Sequence, residues 1–254
     1  MAGEVRVGTS GWQYDHWRGT VYPEDLPKRR WLEHYATRLP TVEINATFYR
    51  LARASTVTQW AQTVPPEFEL AFKGSRYLTH QRKLREPDEA LSRFFTPLEP
   101  ARDRTAVVLW QLPGGWRRDT ARLDAFLGAL PRDLRHAVEL RDDDWFCDET
   151  YEVLDRHGVA LVWLSSALTR AHELVPTGGH RYVRFHGLDP DQPYVHDYTR
   201  EELAPWAELL SEVAAQGIPS WVFFNNDHAG HAVHNAETLI DLLGAAARPW
   251  PPGP

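Results

Sequence analysis

Eight short apolar runs recur along the chain: VRVGTS (5–10), TVEIN (41–45), ELAFKGS (69–75), AVVLWQL (106–112), HAVELR (136–141), VALVWLS (159–165), RYVRFHG (181–187) and SWVFFNN (220–226). Amphipathic segments lie between them, over 28–39, 55–64, 88–98, 119–130, 148–158, 199–217 and 229–246. In the longest, Leu203, Trp206, Leu209, Leu210 and Val213 keep helical spacing. Thr199 followed by Glu202 reads as a capping box, and Gly158 and Gly217 stand where helices end. Strands that are apolar almost throughout need cover on both faces, which a parallel sheet flanked by helices provides. Eight such units in 254 residues fit a single-domain (β/α)8 TIM barrel over 1–246. A doubly wound open parallel sheet is the alternative. The connection over 167–179 is poorly helical and no internal repeat is visible. The Pro-rich tail 247–254 is expected to be disordered.

The strand ends break the apolar pattern. In TVEIN, Glu43 and Asn45 share the face opposite Val42 and Ile44, and a carboxylate facing inward is costly unless something pairs with it. The same spacing of two recurs in Lys73 with Ser75, Glu139 with Arg141, Arg184 with His186, and Asn225 with Asp227. Gln111 and the pair Ser10 and Trp12 extend the set. Polar C-terminal halves on apolar strands match a barrel whose site lies at its C-terminal mouth. A buried ion-pair network, Glu43 with Lys73 and Glu139 with Arg141 or Arg184, is the structural alternative. Glu43, Glu139 and Asp227 are balanced by Lys73, Arg141 and Arg184, while Arg76 and His80 tip the mouth positive. A phosphate or carboxylate ligand follows. The loop NNDHAGHAVHNA (225–236) leads into a helix N-terminus of the kind that seats phosphate, although Asp227 would oppose an anion there and could instead cap the helix.

Composition narrows the classes. The net charge of -7 confines any nucleic-acid contact to a local patch. Eleven tryptophans suit a core and also a site that stacks flat rings. Lysine occurs only at 28, 73 and 83. Cys147 is the lone cysteine, so no intrachain disulfide is available, and its neighbours Asp144, Asp148 and Glu149 should raise its pKa and leave it inert. No apolar signal core or membrane-length run is present, which makes the cytoplasm the default location and leaves no membrane partner. Glu43, Glu139, His186 and Asp227 are chemically able to hold a divalent metal, but no HxH or HExxH spacing supports one and none is expected. His228, His231 and His234 read as solvated positions at a helix start, and no nucleotide or hydrolase motif appears.

TSGWQYDHWRGTVYP (9–23), VEINATFYR (42–50), FKGSRYLTH (72–80), QLP (111–113), AVELRDDDW (137–145), RFHG (184–187) and FFNNDHAGHAVHNA (223–236) resemble the YecE-like family, domain of unknown function 72. The likeness runs from about residue 5 to 244. It implies a TIM barrel and no settled reaction, with an outline similar to metal-dependent barrels of the xylose-isomerase and apurinic-endonuclease kind. The resemblance marks Ser10, Trp12, Tyr14, Trp17, Glu43, Asn45, Tyr49, Lys73, Arg76, His80, Gln111, Glu139, Arg141, His186, Asn225 and Asn226. The chain departs from the pattern at Asp142 and Asp144, and in having QLPGG for QLPP, both in loops that bear on substrate fit.

Three functions are compatible. The first is a hydrolytic or lyase-type enzyme on a small anionic or nucleotide-like substrate. Lys73, Arg141 and Arg184 would hold it, Trp12 or Tyr14 would stack on it, Glu43 or Glu139 would act as base and His186 as acid. The second is a nucleic-acid-binding or repair protein using Arg76, Lys83 and the aromatic loops. The third is a ligand-binding barrel without catalysis.

Overall fold

The computed structural model describes residues 3–167 and 174–251. Eight parallel strands close on themselves: β1 (Val5–Ser10), β2 (Thr41–Ile44), β3 (Glu69–Lys73), β4 (Thr105–Gln111), β5 (Arg135–Glu139), β6 (Ala160–Ser166), β7 (Arg181–Gly187) and β8 (Ser220–Phe224). Closure comes from β8 pairing with β1 from Val5↔Ser220 to Thr9↔Phe224, which excludes the open-sheet alternative. The helices are α1 (Trp31–Tyr35), α2 (Ala46–Tyr49), α3 (Ala54–Thr63), α4 (Asp88–Phe95), α5 (Thr120–Gly128), α6 (Asp148–Arg156), α7 (Arg200–Ala215) and α8 (His231–Leu243). Short turns add to these, including a π turn over Tyr77–Gln81. Of the connection 167–179, residues 168–173 lie outside the described residues, and 174–179 carry no helix. Among the described residues no helix is long and apolar enough to cross a membrane.

Alternation along the strands sorts the core into two shells. Ala71, Val107, Leu109, Ala137, Val162, Leu164, Tyr182, Trp221 and Phe223 fill the barrel, while a larger apolar shell joins the strands to the helices. The N-terminal end is closed around Glu69, which accepts from Trp221 Nε1 at 2.6 Å and pairs with Arg6 at 2.9 Å and Arg248 at 2.7 Å. Part of the expected disordered tail therefore docks. Ala247 bridges to Val5, and Trp250 donates to the Ala36 carbonyl at 2.9 Å with its ring 6.0 Å from Phe68. Proline content signalled disorder there, but a partly buried indole and the Ala247 bridge hold the segment.

The capping box is present. Thr199 Oγ1 accepts from the Glu202 N–H at 3.2 Å, and Glu202 accepts from the Thr199 N–H at 2.9 Å. Thr199→Ala should lower stability by about 1 kcal/mol in urea unfolding, because it orphans a helix N-terminal donor.

Candidate active site

Above the apolar filling, the inward positions of four strands turn polar and meet. Arg184, the next inward-facing residue after Tyr182 on β7, spans the barrel axis. Its guanidinium donates to Glu43 at 2.7 Å and to Glu139 at 2.5 Å, with Arg184 1% exposed and both carboxylates fully buried. Arg141 closes on the other oxygen of Glu139. Ser10 Oγ and the Tyr182 hydroxyl donate to Glu43 at 2.7 and 2.6 Å. This floor answers the cost of inward carboxylates: each is matched by donors from other strands. Burial alone would raise both pKa values. For Glu43, Arg184 and Lys73 with the two hydroxyls reverse that, and its carboxyl lies below the usual range. For Glu139, Arg141, Arg184 and His186 do the same, and more strongly.

A cavity of about 530 Å³ opens directly above, at the C-terminal mouth. Tyr14, Asn45, Tyr49, Lys73, Arg76, His80, Gln111, Arg141, Arg184, His186, Asn225 and Asp227 line it, all expected from the sequence. Phe48 and Tyr194 join them without having been expected. Tyr194 lies in a loop that gives no strand or motif signal. Its φ of 73° is in the left-handed region that aromatic residues rarely occupy, and its N–H donates to the His186 carbonyl at 2.9 Å.

Six expected residues do not line the cavity. Glu43, Glu139 and Ser10 belong to the floor beneath it. Trp12 is buried edge-on against Trp60 at 5.7 Å, so it cannot stack on a ligand. Trp17 is fully buried and donates to the Asp227 carbonyl at 2.7 Å, tying the first loop to the last. Asn226 faces outward, donating to Asn235 at 2.7 Å and to the His196 carbonyl at 2.8 Å. Strand alternation explains the last case: Asn225 and Asp227 take the inner face and Asn226 the outer one.

His186 is held neutral. Burial, then Arg184, push its pKa down to about 4 against the pull of Glu139. Nε2 faces Arg141 at 3.1 Å and Arg184 at 3.4 Å, both donors, so Nε2 must accept and the ring proton sits on Nδ1. Nδ1 lies 3.1 Å from the Asn225 amide nitrogen, and turning that amide over lets its oxygen accept the Nδ1 proton. A neutral imidazole braced in this way cannot deliver a proton as an imidazolium at neutral pH.

Lys73 stands apart from the paired charges of the floor. Its nitrogen sits 4.4 Å from the centre of the Phe48 ring, and among the described residues it has no carboxylate partner within ion-pair distance. Burial, then Arg184 and Arg141, lower its pKa to about 8 against the attraction of Glu139 and Glu43. His80 is lowered by burial, Lys73 and the two arginines Arg76 and Arg141. Asp227 is raised by burial, and its side chain makes no capping bond. α8 begins at His231, and of the turn that leads into it only Asp227 lines the cavity. Gly74 sets the exit of β3, since a Cβ there would lie 2.2 Å from the Trp110 ring.

Among the described residues no group of three or more His, Cys, Asp or Glu is arranged to hold a metal. Cys147 departs from expectation. Burial raises its thiol, but hydrogen bonds from Thr150 and the Arg118 guanidinium outweigh that and hold it below the ordinary value. The neighbouring acids are adjacent in sequence, whereas Arg118 is adjacent in space.

Fold and site together define a (β/α)8 barrel with a polar, cation-lined mouth above a closed ion-pair floor. Residues 6–254 match the family model described as protein of unknown function DUF72, and the chain belongs to that family. It is 26% identical to the UPF0759 protein YunF of Bacillus subtilis, over 94% of both chains. It is 32% identical to the UPF0759 protein YecE of Escherichia coli over 49% of this chain and 47% of that one. The crystal structure of a DUF72 family protein from Thermotoga maritima superposes with a TM-score of 0.85 at 28% identity, covering 94% of this chain and 99% of that one.

Proposed function

We propose that the chain is an enzyme, lyase- or hydrolase-like, acting on a small anionic substrate at the barrel mouth. The reading rests on a mismatch of charge between two layers. In the floor, Glu43 and Glu139 are saturated by donors and are poor bases. On the cavity wall, Lys73 and Arg76 have no carboxylate partner among the described residues. Open cations in a concave site attract an anion and orient it. Arg76 and Lys73 grip the charged end, while Asn45, Gln111 and Asn225 direct the neutral part. The proton-transfer role passes from the carboxylates and His186 to Lys73, whose pKa of about 8 suits neutral pH.

Lys73→Met tests this, because function and stability should move in opposite directions. The variant should bind inorganic phosphate about 10–100-fold more weakly by calorimetry. Lys73 holds its last proton less tightly folded than unfolded, so at pH 7 its ammonium opposes folding. Removing it should raise urea stability by about 2–3 kcal/mol, a gain that vanishes above about pH 10.5 where both states are neutral. Lost stability with unchanged phosphate binding would sink the reading.

A second reading, contact with single-stranded nucleic acid, draws on the neighbouring groove of about 840 Å³, which shares Phe48, Tyr49 and Arg76 with the mouth. Tyr49 and Tyr77 are 76% and 49% exposed there, as base-stacking platforms need. However, Arg82 and Arg93 in that groove are paired with Glu86 and Glu89, which leaves little free positive charge for a backbone.

A further inference from the structure

We propose that Lys73 is a covalent catalyst, forming an imine with a short carbonyl compound that carries a carboxylate or phosphate group. The inference rests on the anion-site reading above and assigns that site its substrate class. Three features of the cavity carry it. The Lys73 amine lies at the end of β3 and opens onto the cavity, resting on the Phe48 ring and engaged by no carboxylate among the described residues. A lysine meant only to balance charge would close onto Glu43 or Glu139, yet Arg184, Arg141 and the hydroxyls of Ser10 and Tyr182 occupy those oxygens. The fixed cations next to the amine favour its neutral, nucleophilic form, the arrangement that activates Schiff-base lysines in general. The depressed pKa agrees with this geometry.

The third feature is Asn45. In the β2–β3 register Ile44 pairs with Phe72, and Asn45 and Lys73 are the next residues along the two segments, both lining the cavity. The side-chain oxygen of Asn45 is buried with no hydrogen-bond partner among the described residues, and the residue lines the cavity. A buried orphan acceptor costs free energy unless a ligand supplies a donor. The hydroxyl of a carbinolamine on Lys73 is such a donor. Arg76, exposed on the rim, meets the anionic group.

The step balances without a further reactant. The amine lone pair forms the N–C bond as the carbonyl π bond opens. Overall the lysine ammonium gives two of its three protons to the carbonyl oxygen, which leaves as water. The third proton stays on the iminium nitrogen. That iminium draws electrons from the adjacent carbon, as lyase-type bond cleavage requires.

The chain has only three lysines, Lys28, Lys73 and Lys83, so the adduct can be mapped cleanly. The full chain is incubated with glyoxylate and sodium cyanoborohydride, which reduces the iminium, and its peptides are followed by mass spectrometry. Lys73 should acquire the reduced adduct at least about tenfold faster than Lys28 and Lys83, with a rate that saturates in glyoxylate and falls when inorganic phosphate is added. Equal rates at the three lysines, or a Lys73 rate that stays linear in glyoxylate, overturn the proposal. Glyoxylate that binds by calorimetry yet leaves Lys73 unmodified overturns the imine alone and leaves the anion site standing. Failure of both glyoxylate and phosphate to bind removes the site as well.

Discussion

Replacing Arg184 with methionine should cost about 3–5 kcal/mol in urea unfolding, the expected penalty for stranding a buried charge partner. Among the described residues Arg184 is the one donor that reaches both floor carboxylates, and all three groups are shut off from solvent. Without it Glu139 keeps Arg141, but Glu43 retains only the hydroxyls of Ser10 and Tyr182 and the more distant charge of Lys73. Glu43 should then bind a proton more tightly folded than unfolded. The variant's deficit relative to wild type should therefore shrink as the pH falls toward the unfolded carboxylate pKa. In the wild type both carboxylates are lowered, so their contribution is present above about pH 4.5 and is lost below it. Adding Glu43→Gln to Arg184→Met should recover more than half of the loss, because a neutral amide needs no counter-charge. A single variant within about 1 kcal/mol of wild type would mean that the floor contributes nothing to folding.

The inward face of each strand was legible in the sequence because side-chain alternation has a period of two. That period places Asn225 and Asp227 in the cavity and turns Asn226 to the helix side. Depth was not legible. Glu43 and Asn45 share a face, yet one is sealed in the floor and the other lines the cavity, and their separation along the barrel axis depends on strand stagger. The same one-layer offset separates Arg184, which bonds the floor carboxylates, from His186 above it. Misplacing that offset is what cast Glu43 and Glu139 as bases and His186 as an acid. Tryptophan misled in another way: Trp12 and Trp17 belong to the core, and sequence alone cannot tell an indole that packs from one that stacks. Tyr194 left no signal, and Phe48 stood beside the expected Tyr49 in VEINATFYR without being assigned to the site.

Acid should unfold this protein earlier than its carboxylates alone would dictate. Among the described residues three histidines are buried neutral at different levels of the barrel. His136 is lowered to about 4 by burial, with its tautomer set by donation to the Pro131 carbonyl at 2.9 Å and acceptance from Trp110 at 3.3 Å. His180 is lowered to about 3 by burial and then by Arg135. His186 is lowered to about 4 by burial and then by Arg184. Each has a folded pKa below its unfolded value near 6.5, so the unfolded chain takes up protons first as the pH falls. Their stabilising contribution is complete above about pH 6.5 and drains away between there and the folded values. By pH 5 each accounts for about 2 kcal/mol, or about 6 kcal/mol together. That is comparable with the whole stability of an ordinary domain. Urea midpoints measured from pH 7 to 5 should therefore fall steeply, with an acid midpoint at about pH 5. His180→Leu should remove about a third of the slope, since leucine neither titrates nor needs a partner at that depth. A flat profile down to pH 5, followed by a collapse at carboxylate pH, would show that these imidazoles find water or a counter-charge when protonated.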